Sequence, residues 1–144
     1  MIPNTSLEEV KMSKMSRDKG ARGEREVADL IKDASGGVFA AQRGCQHAGR
    51  FAVGVASPDV LTDLPLHLEV KRTEKPAVKA AWAQALADAG IEKEPCVAMR
   101  WNGGEWLGLV RLSHLVAALA EISRLKTTLS QLEKRLKEIA DSTA

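Results

Sequence analysis

The sequence predicts an α/β domain in which helices flank a mixed central sheet, followed by a long C-terminal helix with a heptad pattern. Three observations lead to this fold class. Segments with apolar residues at helical spacing alternate with short segments in which every second residue is apolar, and the tail repeats apolar residues every seven positions. With 144 residues, 44% of them hydrophobic, the chain is long enough for one domain with a substantial core.

The first predicted helix covers residues 16 to 34, after a polar lead that we expect to be flexible. Its apolar stripe consists of residues at helical spacing: Val27, Leu30, Ile31 and Ala34. Gly36 and Gly37 supply the stop. Glu24 lies on or beside this stripe, and a carboxylate at such a position indicates a functional role. Glu26 is the alternative candidate for this role, because it lies four residues before Leu30 on the same face of the helix.

Five strands and a second helix are predicted between the first helix and the tail. They are, in order, a strand at 38–43, a strand opening at Asp59, a strand at 66–72, a helix at 77–89, and a hairpin of strands at 96–101 and 105–110. A glycine-rich loop, 44–57, separates the first two strands. This order of elements predicts a single mixed sheet covered by helices.

The tail, residues 113 to 144, has a heptad pattern for which Ser113 is the predicted N-cap. Its a and d positions are Leu115, Ala118, Ile122, Leu125, Leu129, Leu132, Leu136 and Ile139. Glu121 at position g can pair with Lys126 at position e of a second copy, so we expect the tail to aid a homodimer. An amphipathic helix that folds back onto its own domain is the alternative. The predicted division is thus 1–15, 16–112 and 113–144.

The charge, the cysteine content and the lengths of the apolar runs argue against several classes of protein. The net charge of +2 is nearly balanced, so the local distribution of charge matters more than the total. Cys45 and Cys96 do not form a C-x-x-C pair, which argues against a disulfide framework or a zinc module. The N-terminus lacks the apolar core of a signal peptide, and no apolar run reaches membrane-spanning length. We therefore expect a cytoplasmic protein without a membrane partner.

Three carboxylates and a lysine form the candidate catalytic site: Glu24, Asp59, Glu69 and Lys71. Glu69 and Lys71 project from the same face of the strand at 66–72, because successive side chains of a strand alternate between faces. Carboxylate oxygens suit Mg²⁺, and Mn²⁺ should replace it, so the three acidic residues are the predicted ligands of a metal for phosphodiester hydrolysis. Lys71 would orient or deprotonate the attacking water, or neutralise charge on the phosphate.

Basic residues flank these carboxylates on both sides. The interior of the segment from Asp33 to Asp59 holds no acidic residue but contains Arg43 and Arg50. Arg72 and Lys75 follow the lysine of the candidate site. An enzyme that acts on a polyanion needs such positive charge, so these four residues are candidates for DNA binding.

Two motifs resemble a known nuclease superfamily. Pro58-Asp59 followed by Glu69-Val70-Lys71 resembles the core of the PD-(D/E)XK nucleases. Upstream, "KGARGERE" at residues 19–26 is similar to the first-helix signature of archaeal and phage Holliday-junction resolvases. The resemblance covers roughly residues 17 to 101 and leaves out the heptad tail. It implies a restriction-endonuclease-like core.

The resemblance also implies roles for individual residues. Glu24 would join the metal site, Arg25 would contact DNA, and Arg43 on the next strand would be functional. Trp82 and Gln84 loosely match residues that many phage relatives carry in the helix after the lysine strand. Gln84 is therefore a further candidate for DNA binding, with an ordinary polar helix position as the alternative.

With the charge pattern and the candidate site described above, the resemblance implies a Mg²⁺-dependent, structure-selective endonuclease that resolves four-way DNA junctions by paired cuts, as a homodimer in the cytoplasm of a cell or of a phage's host. No recognition-helix motif is visible, and aromatic residues are only 3% of the chain, which argues against base reading and against a stacking platform. One alternative is another PD-(D/E)XK DNA nuclease of the nicking, repair or restriction type. A non-catalytic DNA-binding oligomeric module is the other.

Overall fold

The computed structural model describes residues 7–44 and 58–144, with side chains from residue 11 onward. The chain divides into two compact units at the boundary between Val110 and Arg111. The elements are α1 (Leu7–Ala34), β1 (Ala41–Arg43), β2 (Val60–Thr62), β3 (Leu66–Arg72), α2 (Val78–Asp88), β4 (Glu94–Arg100), β5 (Leu107–Leu109) and α3 (Leu112–Thr143). Within the described part of the chain, no helix combines the length and apolar character that a membrane span requires.

The order of elements confirms the predicted α/β class, with differences at the boundaries. β3 has the predicted bounds, whereas β1 and β5 are three residues each and shorter than expected. α1 begins at Leu7 instead of Ser16, so the prediction of its start was wrong. Its first turns are rich in Glu, Lys and Met, which favour a helix even without an apolar stripe.

The strands form two sheets, whereas the sequence predicted one. β3 and β4 pair in parallel and β5 pairs antiparallel to β4, which gives a mixed sheet of three strands. β1 and β2 form a separate antiparallel pair. At the free edge of β3, the backbone amide of Val70 donates to the Asp59 carboxylate at 2.7 Å. A side chain thus takes a backbone donor that a further strand would need for a continuous ladder.

Helices pack on both faces of the β3–β4 pair. The α1 face is filled by a cluster of buried residues: Val27, Ala28, Ile31, Val60, Leu68, Cys96 and Ala98. The α2 face holds a second cluster: Ala81, Ala85, Val97 and Met99. Because side chains alternate along a strand, Leu68 faces α1 while its neighbour Glu69 faces α2. Cys96 is a free buried thiol, and Cys45 lies outside the described residues.

Glycines end the first two helices. Gly36 and Gly37 follow α1 with φ of 60° and 81°, and Gly90 follows α2 with φ of 63°. A left-handed conformation after a helix favours glycine, because other residues meet their own Cβ there. The stop predicted at Gly36 and Gly37 is therefore confirmed.

The second unit is the single helix α3. Its N-cap is Arg111, which makes no side-chain capping bond, and Ser113 lies inside the helix, so the predicted Ser113 cap was wrong. The backbone explains this start, because the Leu115 amide already donates to the Arg111 carbonyl at 3.1 Å. None of its residues, all of which the structure describes, is buried. The leucines and isoleucines at a and d are 43–67% exposed.

Candidate active site

Asp59 lies just before β2, at the free edge of β3, where it accepts the 2.7 Å hydrogen bond from the Val70 amide. Burial raises the pKa of its carboxyl from 3.8 to about 6, against the lowering effect of that hydrogen bond. The negative charges of Glu69 and Glu24 raise this pKa further, while Lys71 lowers it. Carboxylates from α1 and β3 therefore act on Asp59, and a cation among them would relieve their repulsion.

Glu69 and Lys71 stand side by side on β3, as the alternation of the strand predicts. Glu69 is a buried carboxylate, 5% exposed, and its Oε1 lies 2.5 Å from Lys71 Nζ. A buried carboxylate needs such a partner, since leaving its charge unpaired away from water is costly. Lys71 Nζ also donates to Gln84 Oε1 of α2 at 3.2 Å. Gln84 thus helps to fix the position of the ammonium group.

His67 occupies the same face of β3, two residues before Glu69, and is 4% exposed. Burial lowers the pKa of its imidazole, partly offset by the nearby charges of Asp88 and Glu69, while Lys93 lowers it further. The ring is therefore held neutral at pH 7. His67 is therefore a neutral, buried side chain next to Glu69 on this face of β3.

Glu24 projects from α1 with a side chain that is only 14% exposed. Its Oε2 lies 2.5 Å from the Nε of Arg43 on β1. Glu26 follows two residues later, about 200° around the helix. It contacts the arginines of another surface instead: Arg22, Arg72 and Arg100. Of the two candidates, Glu24 is the one whose charge acts on the Asp59 carboxyl.

The donor chemistry of this site fits a hard divalent cation, because its acidic residues offer carboxylate oxygens. Asp59, Glu69 and Glu24 are the residues that would hold it. Among residues 7–44 and 58–144, however, no three acidic, histidine or cysteine side chains stand close enough together to bind a metal as they are. Glu24 and Glu69 instead each contact a cationic side chain, Arg43 and Lys71. Metal binding would therefore require these two ion pairs to loosen.

The structure describes five of the six predicted DNA-binding residues, and two of them contact the candidate site. Arg43 contacts Glu24, and Gln84, for which an ordinary helix position was the alternative, contacts Lys71. Arg25 is exposed on α1, and Lys75 is exposed in the bend after β3. Arg50 lies outside the described residues. The side chain of Arg72, at the end of β3, is directed to Glu26 and not to the carboxylate site.

Sequence reasoning overlooked Arg22 and Arg100, which join Arg72 around Glu26. The only available signal was the spacing of Arg22 and Glu26, which places them one turn apart on a helix. The position of Arg100 depends on the register of β3 and β4, which pairs it with Arg72. That register joins distant segments and is not visible in a local pattern.

Comparison with protein families gives a match over most of the chain. The model of a family described as "Phage putative PDDEXK endonuclease" matches residues 15–143. No curated protein and no solved structure matches the chain. The family match contains all four residues of the candidate site and also α3, whereas the motifs identified in the sequence end near residue 101.

Proposed function

Because the chain belongs to this family of phage PDDEXK endonucleases, we propose that it is a Mg²⁺-dependent DNA endonuclease that resolves four-way junctions as a homodimer. One observation carries the nuclease assignment. The Val70 amide of β3 holds the Asp59 carboxylate at 2.7 Å, and Glu69 and Lys71 form an ion pair on the same strand. The charge of Glu24 also acts on the Asp59 carboxyl. Clustered carboxylates with one lysine suit metal-assisted phosphodiester hydrolysis.

The residues of the site have separable tasks in this reaction. A bound divalent cation supplies a Lewis acid that activates water and offsets charge on the phosphate. The Val70 amide holds the Asp59 carboxylate in one orientation. Gln84 holds the Lys71 ammonium. Glu69 would help to hold the cation, and the N–H donors of Lys71 would then serve the attacking water or a phosphate oxygen.

Arg43 supplies positive charge beside Glu24. Its guanidinium contacts Glu24 in the structure and has five N–H donors in a planar arrangement. If Glu24 turns to the cation, Arg43 can bind a DNA phosphate, with which guanidinium forms paired hydrogen bonds. Arg25, Lys75 and Arg50 would add further phosphate contacts.

The homodimer proposal rests on the chemistry of junctions and on α3. Resolution of a four-way junction requires two opposed incisions, which a two-fold dimer supplies with identical sites. The leucines and isoleucines at the a and d positions of α3 are 43–67% exposed, and a second copy of the same helix would bury them. Glu121 and Lys126 provide complementary charge between two parallel copies. Phage DNA is processed inside the host cell, and we place the enzyme in the host cytoplasm.

Another PD-(D/E)XK DNA nuclease, of the nicking, repair or restriction type, is the second candidate. The description of the matching family names an endonuclease but no substrate, and the same four residues would serve either enzyme. A non-catalytic DNA-binding module is less consistent with a complete set of three carboxylates and a lysine.

Cleavage of a labelled four-way junction and of a linear duplex with the same arm sequences tests the proposal. We expect symmetric paired cuts in the junction with Mg²⁺, none with chelator, and none by Glu69→Gln. Glu92→Gln makes the same chemical change at an exposed position outside the site. It is the matched control, and this variant should cut the junction normally. Equal cutting of both substrates would identify a general nuclease. Junction binding without any cutting would contradict the enzyme assignment.

A further inference from the structure

Three arginines surround one carboxylate on the α1 side of the sheet, and we call Arg22, Arg72 and Arg100 the arginine cluster. Arg22 Nε lies 3.1 Å from Glu26 Oε1, and Arg100 Nη1 lies 2.9 Å from Glu26 Oε2. Arg72 Nη2 is 3.6 Å from Glu26 Oε1. Glu26 therefore holds the three guanidinium groups together.

The arginine cluster carries more positive charge than Glu26 can balance. In the part of the chain that the structure describes, no second carboxylate lies within 4.0 Å of these guanidinium nitrogens. Three positive charges minus one negative charge leave an excess of two. The side chains of Arg72 and Arg100 are only 18% and 30% exposed. Charges removed from water to this extent need a counter-charge, and an anionic ligand would supply it.

The hydrogen bonds of the cluster are also incomplete. Arg100 donates from Nε to the Gly104 carbonyl at 2.7 Å and from Nη1 to Glu26 at 2.9 Å. The Arg72 guanidinium makes no hydrogen bond to any residue that the structure describes, since its 3.6 Å approach to Glu26 is too long for one. A guanidinium has five N–H donors, so the described residues bind only a minority of the donors of Arg72 and Arg100.

The position of the cluster in the fold is typical of a binding site. Arg72 and Arg100 are the last residues of β3 and β4, and they are register partners in this parallel pair. Ligands of open α/β sheets bind outside the carboxyl ends of parallel strands. Arg72 follows Lys71 directly, but the two side chains leave opposite faces of the strand. The cluster thus begins one residue from the candidate active site and extends from it on the α1 side.

We propose that the arginine cluster is a second phosphate-binding site, which takes a backbone phosphate of the DNA substrate at a distance from the phosphate that is cut. This inference rests on the proposed DNA nuclease function. Arginine is suited to the task because its planar donors match two phosphate oxygens. Glu26 balances one of the three positive charges until a phosphate arrives.

Binding of DNA by Arg72→Gln and Arg100→Gln tests the inference. Fluorescent four-way junction and linear duplex are titrated with full-length protein in chelator, which prevents cutting, over a series of NaCl concentrations. We expect each substitution to weaken binding about tenfold and to lower the slope of log affinity against log salt by about one, as for the loss of one phosphate contact. Lys32→Gln on α1, where Lys32 pairs with Asp29, is the matched control and should leave the slope unchanged.

Glu26→Gln keeps the test decisive if an arginine variant folds poorly. This change removes the negative charge but no arginine, so DNA binding should stay equal or become tighter, whereas weaker binding by a folded Glu26→Gln protein would contradict the inference. If Arg72→Gln and Arg100→Gln leave the affinity and the salt slope unchanged, the cluster is only an internal ion pair and the inference is wrong. A wild-type protein that binds neither DNA at low salt would overturn the proposed function together with this site.

Discussion

The Asp59 carboxylate accepts a hydrogen bond from the Val70 amide at 2.7 Å, which ties the start of β2 to the free edge of β3. The same bond holds a carboxylate close to Glu69 and Lys71, in surroundings that raise the Asp59 pKa to about 6. Folding therefore brings Asp59 into a place where its charge is unfavourable unless a cation is present. A residue under such constraint is better explained by function than by stability.

Asp59→Asn should stabilise the metal-free protein at alkaline pH. The unfolded chain loses the Asp59 proton near 3.8 and the folded chain near 6, so the folded state binds the extra proton between these values and wild-type stability falls as pH rises through this window. Asparagine keeps an acceptor for Val70 and has no charge. The variant should thus unfold at a higher denaturant concentration than wild type at pH 8, and at about the same one below pH 4. A pH-independent difference would contradict the raised pKa.

Mg²⁺ should raise the melting temperature of the wild-type protein in the absence of DNA. A ligand that binds only the folded state stabilises it, by about 2.7 kcal/mol at a concentration one hundred times its Kd. Asp59→Asn and Glu69→Gln should lose most of this shift, while Glu92→Gln should keep it. Differential scanning calorimetry with and without Mg²⁺ measures the effect. Equal shifts in all four proteins would place the metal elsewhere.

Gln84→Leu should slow cleavage without weakening DNA binding. The substitution removes the acceptor that lies 3.2 Å from Lys71 Nζ. A hydrogen bond to a charged group is worth about 1.5–3 kcal/mol, which corresponds to a loss of roughly tenfold or more in the single-turnover rate. Gln84→Glu retains an acceptor and should retain most of the rate. Gln131→Leu on α3 is the control. A lower affinity with an unchanged rate would make Gln84 a DNA contact instead.

Much of this site follows from local sequence, and the parts that do not follow depend on long-range pairing. The alternation of β3 places Glu69 and Lys71 on one face, and the stripe of α1 indicates that Glu24 is near the core. Both relationships need only a few neighbouring residues. The bond from Val70 to Asp59 joins residues 11 apart across the edge of a strand, and no periodic pattern records it.

The division of the strands into two sheets was not predictable for the same physical reason. Local sequence patterns show which segments form strands. How the strands pair also depends on which backbone N–H groups are bound by side chains and thus not free to bind another strand. The start of α1 was wrong because a polar segment with good helix formers has no apolar period to detect. In contrast, β3 and α2 were placed correctly or nearly so, since alternation and the stop at Gly90 are strong local signals.

Two glycines of α1 should respond in opposite directions to alanine. A Cβ at Gly23 would lie 3.1 Å from Arg72 Cβ, whereas a Cβ at Gly20 would meet nothing within 4 Å. Gly23→Ala should therefore push α1 away from β3 and cost about 1–3 kcal/mol of unfolding free energy. Gly20→Ala should add about 0.5–1 kcal/mol, because alanine loses less backbone entropy in a helix. Urea unfolding of the two variants measures both changes in unfolding free energy. A Gly23→Ala protein as stable as wild type would contradict the close approach of Gly23 to Arg72.

Leu129→Glu should separate the proposed homodimer. Leu129 occupies an a position of α3 and is 58% exposed, so a second copy of the helix would bury it and a carboxylate there would be desolvated. Thr127→Glu adds the same charge at an f position, on the outside of a coiled coil, and is the control. Sedimentation at micromolar concentration should give a dimer for wild type and Thr127→Glu and a monomer for Leu129→Glu. A wild-type monomer would contradict the proposal.

The bond between Glu26 and Arg100 joins residues 74 positions apart in the chain. Bringing such distant residues together costs chain entropy before any contact compensates for it, so we expect this bond to form late in folding, after α1 has met the β3–β4 pair. Interactions that are absent from the folding transition state act on the unfolding rate. The ion pairs around Glu26 should therefore lengthen the lifetime of the native protein while leaving its rate of folding nearly unchanged.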